Sequence, residues 1–242
     1  NYNVHNLLES PSFGFTGISG NNLLNLADLG LNITLEDNDS HRLDLITDLW
    51  KKLGRNFNPV YNPDFHELNY PDKSFDMSFS FSALWFVPDL SHFLKELSRV
   101  TSQVIFLSIP NRNGLGFKIQ IKDYTPEKYP QIKLSYIDPP SIIHILKKLD
   151  WYLVDSGYFD CPPWPDIGMT KEELLKKWFP HLPISKIFKE QPDKEPSSIL
   201  DYYSGKDLDF APRMRRYQWL EKTAPDAFKK VWAHHYYMIF AP

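Results

Sequence analysis

Cysteine is almost missing from this chain: Cys161 is the single thiol in 242 residues. No internal disulfide can form, and a reducing compartment, the cytoplasm, is the expected setting. No apolar run approaches about 18 residues, so no membrane span is expected. No signal peptide is visible, although a chain opening on Asn1 is expected to have lost its natural start. A net charge of -3 gives no electrostatic reason to expect nucleic acid. HExxH and paired CxxC motifs are absent, so no zinc site is expected. Internal repeats and low-complexity tracts are absent as well.

What is present centres on Asp64 to Arg99 (DFHELNYPDKSFDMSFSFSALWFVPDLSHFLKELSR). Tyr70-Pro71-Asp72-Lys73-Ser74 reads as a turn, because proline presets its backbone angle and Asp and Ser bond back to the chain. Phe75 to Phe81 reads as a buried strand. Pro88-Asp89 ends the run and caps a helix whose apolar face is Leu90, Phe93, Leu94, Leu97 and Val100.

Upstream, residues 1–11 give no clear assignment, and Ser12 to Ile18 reads as a first strand running into a loop that ends at Gly20. Asn21 to Leu29 is expected to be a helix closed by Gly30. Ile33 to Leu35 begins a second strand, stopping at Glu36-Asp37-Asn38-Asp39. Asp39 or Ser40 caps a helix with Leu43, Ile46, Leu49, Trp50 and Leu53 at helical spacing. Phe57 to Tyr61 is a weak third strand. Val104 to Ile109 is an apolar run suited to a central parallel strand. Beyond it, Ser141 is expected to cap a helix, Trp151 to Tyr158 to form a sixth strand, and Thr170 to Phe179 a helix with capping-box spacing. Trp232 to Phe240 reads as the last strand, with His234 and His235 facing opposite sides of it. Strands alternating with helices argue for an α/β fold with a doubly wound, mostly parallel sheet, whose ligands bind at the carboxyl ends of the strands. Those ends carry Gly17 to Gly20, Glu36-Asp37, Asp64-Phe65 and Ser82.

Asp64, Leu68, Pro71-Asp72, Phe75-Asp76 and Glu96-Leu97-Ser98-Arg99-Val100 follow one another in the order seen in class I S-adenosylmethionine-dependent methyltransferases, and this stretch resembles their small-molecule branch. The resemblance implies a Rossmann-like sheet of about seven strands, the last antiparallel and inserted between the fifth and sixth, with a helical or irregular lid. It implies a cofactor-binding half over 1–110, an insertion or lid over 111–140, and a C-terminal half over 141–242 with a helical acceptor-site insertion over 162–230. It also implies S-adenosyl-L-methionine as cofactor, a small-molecule acceptor and methyl transfer by in-line displacement.

The family pattern Asp/Glu-x-Gly-x-Gly-x-Gly is worn here. Gly14, Gly17 and Gly20 are spaced Gly-x-x-Gly-x-x-Gly, and the acidic residue before the first glycine is missing on this reading. Thr16, Gly17 and Gly20 would line the methionine end of the cofactor. Asp37, or Glu36 one residue earlier, would bind the ribose hydroxyls; the plainer role of these acids is to favour the next helix's dipole. Asp64 and Phe65 would meet the adenine, and Ser82 would lie beside the methyl group. No histidine is assigned as a base, since a lone histidine is more often structural, and Arg213, Arg215 and Arg216 read as a solvated helix face. A non-catalytic protein of the same fold is the alternative reading. A nicotinamide-dependent oxidoreductase is a third, disfavoured by the absence of a Gly-x-Gly-x-x-Gly turn.

Overall fold

The computed structural model describes residues 2–13, 20–161, 181, 201–202 and 204–242. The chain divides into two compact units: Asn1–Pro110 with Thr125–Gly157 and His235–Pro242, and Asn111–Tyr124 with Tyr158–His234. Its strands are β1 (Asn6–Glu9), β2 (Asn32–Asp37), β3 (Asn58–Tyr61), β4 (Phe75–Phe81), β5 (Thr101–Pro110), β6 (Tyr152–Phe159) and β7 (His235–Ala241). The described helices are α1 (Leu24–Ala27), α2 (Ser40–Lys52), α3 (Leu90–Val100), α4 (Leu115–Gln120), α5 (Pro139–Lys147), α6 (Phe210–Arg215), α7 (Gln218–Thr223) and α8 (Asp226–Trp232). Among the described residues no helix is long and apolar enough to cross a membrane.

The strands form one seven-stranded sheet in the order β3-β2-β1-β4-β5-β7-β6. β1 to β5 pair in parallel and β7 runs antiparallel to β5, giving the Rossmann-like arrangement with the last strand inserted between the fifth and sixth. Its centre is built from the apolar runs, because a strand covered on both faces has no polar side to alternate with. Leu7, Leu8, Ile33, Leu35, Ile105, Leu107 and Ile109 are all buried.

The first strand is not where its sequence suggested. β1 is Asn6–Glu9, ahead of the Ser12–Ile18 segment, and Leu7 and Leu8 pair with Ile33 and Thr34 on one side and Met77 and Ser78 on the other. Two leucines among polar residues are too short a run for periodicity to reveal. The register of β1 therefore places Glu9, not a missing residue, at its tip. α1 is shorter than expected, four residues in place of nine. α5 begins before Ser141: Asp138 is its cap, accepting from the Ser141 backbone N–H at 3.2 Å and hydroxyl at 2.8 Å, with Pro139 and Pro140 in the first turn. α8 replaces the start of the expected last strand. His234 precedes β7, its Nδ1 lying 3.1 Å from Asp160 Oδ2, while His235 is buried on the strand. The expected helix over Thr170–Phe179 lies outside the described residues.

The motif residues of the central stretch turn out to be architectural. Asp76 Oδ2 accepts from the backbone N–H groups of His5 and Asn6 at 2.8 and 2.9 Å, tying the start of β4 to the start of β1. Those bonds hold its carboxyl below the usual range. Arg99 donates to the carbonyls of Leu68 and Tyr70, each at 2.8 Å, and to Asp72 and Glu96 at 2.9 and 2.7 Å. Glu96 in turn accepts from the Leu68 N–H at 3.2 Å. One guanidinium on α3 thus ties down Leu68, Tyr70 and Asp72 of the β3–β4 connection. Arg99→Ala leaves two part-buried carbonyls without their donor and is expected to cost about 1–3 kcal/mol. The check is a lower urea midpoint with an unchanged slope.

Candidate functional site

The parallel register of β1, β2 and β4 sets Glu9, Asp37 and Phe81 at neighbouring strand tips, and β3 ends beside β2. Three carboxyl groups are buried there: Glu9 and Asp37 are 0% exposed and Glu36 is 1%. Asp37 is ringed by donors. Its Oδ1 accepts from the Asp39 N–H at 2.9 Å and Arg42 Nη2 at 2.5 Å; its Oδ2 accepts from Ser12 Oγ at 2.6 Å and Arg42 Nε at 2.7 Å. Pairing with Asp37 raises the affinity of the Arg42 guanidinium for its proton. Glu36 faces away from that cluster and accepts from Ser10 Oγ at 2.7 Å; burial raises its carboxyl above the usual range.

An aromatic group stands in front of Asp37. The Phe13 ring lies 5.7 Å from that of Phe65 and 5.3 Å from that of Phe86, with the Arg42 guanidinium carbon 4.7 Å above its centroid. Phe65 follows β3 with a left-handed backbone (φ 55°) and is 2% exposed. Its N–H donates to Asn62 Oδ1 at 2.9 Å, and the Asn62 N–H donates to the Asp37 carbonyl at 2.9 Å. Asp64 does not join them: it is exposed, and its Oδ1 closes a local turn by accepting from the His66 N–H. Ser82 also has a left-handed backbone (φ 51°), at the tip of β4. Its N–H donates to the Ser108 carbonyl, its own carbonyl accepts from Trp85 Nε1, and its buried hydroxyl has no partner among the described residues.

Gly20 has φ +76°, and a Cβ there would come within 2.5 Å of Ile46 Cγ2; its carbonyl accepts from Trp50 Nε1 at 2.8 Å. Close packing on α2 therefore accounts for this glycine. Thr16 and Gly17 lie outside the described residues. Ser12, Phe13 and Arg42 were missed by the sequence reading, as was the role of Glu9; a Glu directly after the two leucines was the one signal available. A cavity of about 400 Å³ in the same unit lies between α3 and α5, lined by Asp89, His92, Lys95, His144 and Lys148 among others, and shares no residue with the strand tips. Among the described residues no group of three or more His, Cys, Asp or Glu side chains is placed to hold a metal ion.

Glu9 is the strained member of the cluster. Its Oε1 accepts from Asn22 Nδ2 at 3.2 Å and its Oε2 has no partner among the described residues. Burial pushes its carboxyl up to about 8 from an ordinary 4.5. The folded state then holds a proton that the unfolded state releases between those values, so this group's contribution to stability is full below about 4.5 and is lost as pH rises through 8. Glu9→Gln removes that dependence. Between pH 5.5 and 8 the urea midpoint of the wild type is expected to fall further than that of the variant.

The methyltransferase domain family model matches residues 15–104. No curated protein sequence matches the chain. Among solved structures, the [4+2]-cyclase SpnF superposes with a TM-score of 0.55 at 16% identity, covering 98% of this chain and 75% of its own. MccD gives 0.54 at 14%, covering 99% and 90%. A putative sarcosine dimethylglycine methyltransferase from Galdieria sulphuraria gives 0.52 at 14%, covering 98% and 78%. At these identities the structures show a shared fold. That family implies S-adenosylmethionine, and the strand tips can be tested against it. A ribose needs a carboxylate with open lone pairs, whereas all four lone-pair positions of Asp37 are taken and Phe13 stands against Phe65. As arranged here, these residues do not fit the adenosine half of the cofactor. Residues 15–104 are thus similar to the methyltransferase domain family, and the sheet has the strand order of a Rossmann-like fold.

Proposed function

We propose that the protein transfers a methyl group from S-adenosylmethionine to a small or medium-sized molecule by in-line displacement. The observation that carries this reading is the match of residues 15–104 to the methyltransferase domain family on a sheet ordered β3-β2-β1-β4-β5-β7-β6. Asp37 is a fully buried carboxylate at the carboxyl edge of a parallel sheet, inside the stretch that matches the methyltransferase family. Asp37 is the proposed ribose acceptor, with Glu36 behind it. Phe65, Ser82 and the Gly20 turn are the other proposed cofactor contacts. In this reaction the cofactor supplies the leaving group, and the protein's share is to orient the acceptor and keep water out.

A second reading, a non-catalytic binding protein of the same fold, is favoured by the saturation of Asp37 and by the position of Phe13. Titration calorimetry with S-adenosylhomocysteine separates the two. Under the first reading binding is saturable, and Asp37→Ala weakens it at least about tenfold. Ligand at about a hundred times its Kd stabilises the wild type by about 2.7 kcal/mol, visible as a raised unfolding midpoint. No heat and no shift at millimolar ligand selects the second reading.

A further inference from the structure

We propose that Phe13 and Arg42 form a latch that holds the strand-tip cradle shut, and that both must leave Asp37 and Phe65 before an adenosine-bearing ligand enters. The inference rests on the methyltransferase reading and adds to it the residues that set cofactor affinity.

The chemistry of Asp37 is the first support. The guanidinium fills one lone pair on each oxygen with charge-assisted bonds, at 2.7 and 2.5 Å. They bring a full counter-charge in a two-pronged geometry, neither of which a neutral ribose hydroxyl supplies. A ribose therefore does not displace Arg42 by simple competition; the arginine has to be free to go elsewhere. The structure gives it somewhere to go. Arg42 Nη2 already donates to Asn38 Oδ1 at 3.0 Å, and Nη1 lies 3.8 Å from Asp39 Oδ2. Its side chain is 32% exposed, so release toward the α2 cap costs little desolvation.

Phe13 couples the two halves of the cradle. Its ring sits under the guanidinium on one side and against Phe65 and Phe86 on the other. The aromatic contact that closes the adenine end thus depends on the same arginine that closes the ribose end. A ligand binds only the fraction of molecules in which both have withdrawn, and its apparent affinity is reduced by that fraction.

The test is calorimetry with S-adenosylhomocysteine on the wild type, Phe13→Ala, Arg42→Gln and Arg42→Lys. Phe13→Ala and Arg42→Gln are expected to bind at least about tenfold more tightly than the wild type. Arg42→Lys should fall between, since an ammonium keeps the charge without the two-pronged geometry. Without ligand, Arg42→Gln should melt below the wild type, because Asp37 loses its counter-charge, and should gain more from ligand. A purely structural pair predicts the lower melting point without the tighter binding. Wild-type binding that is unchanged or weakened in the variants overturns the latch and leaves methyl-donor binding intact. No binding in any of the four overturns the latch and the methyltransferase reading together. Should Arg42→Gln fail to fold, Phe13→Ala alone decides between these outcomes.

Discussion

The negative charge buried at Asp37 constrains everything near the strand tips. Taking a carboxylate out of water costs several kcal/mol unless its oxygens are fully bonded and a counter-charge is close. Here one side chain recruits a hydroxyl from the segment after β1, the backbone at the α2 cap and a guanidinium one turn into α2. The Asp37 carbonyl also receives the Asn62 N–H beyond β3. Three stretches, at Ser12, at Asp39 to Arg42 and at Asn62, are held by one residue. Its neighbours Glu9 and Glu36 have no such counter-charge, and burial pushes both toward the neutral form. Glu9 and Asp37 thus lie close together at the strand tips, with Arg42 committed to Asp37.

The same region shows how motif residues divide between scaffold and site. Asp76, Glu96 and Arg99 carry much of the resemblance to methyltransferases, yet each bonds to backbone and to one another around β3, β4 and α3. They make the fold, and a fold hosts many activities. The residues on which an activity would turn sit in the loop after β1 and in the first turn of α2, where the match to the pattern is poorest.

Legibility followed from length and locality. β4 and α3 were readable because seven apolar-rich residues and an eleven-residue amphipathic helix are bounded by Pro-Asp turns, and their observed limits agree with that reading. β1 was hidden because four residues carry too little pattern, and that slip left Glu9 in the unassigned lead-in and made Phe13 look like a strand residue. Arg42 was hidden for another reason. On a helix it reads as one more charged surface residue, and its bond to Asp37 crosses a strand-to-helix turn that no helical spacing describes. The last strand was found, but its start was taken too early because α8 ends on Trp232, directly before it.

The place of β7 has its own consequence. It lies inside the sheet, hydrogen-bonded to β5 along Ile105 to Pro110, and it comes from residues 235–241. Until those residues emerge during synthesis, the Ile105 to Pro110 edge of β5 lacks the partner that β7 provides. Such an edge invites pairing with another molecule. The nascent protein therefore depends on its last strand arriving promptly, and a chain cut short before Ala233 would be a candidate for chaperone capture or for association with its own copies.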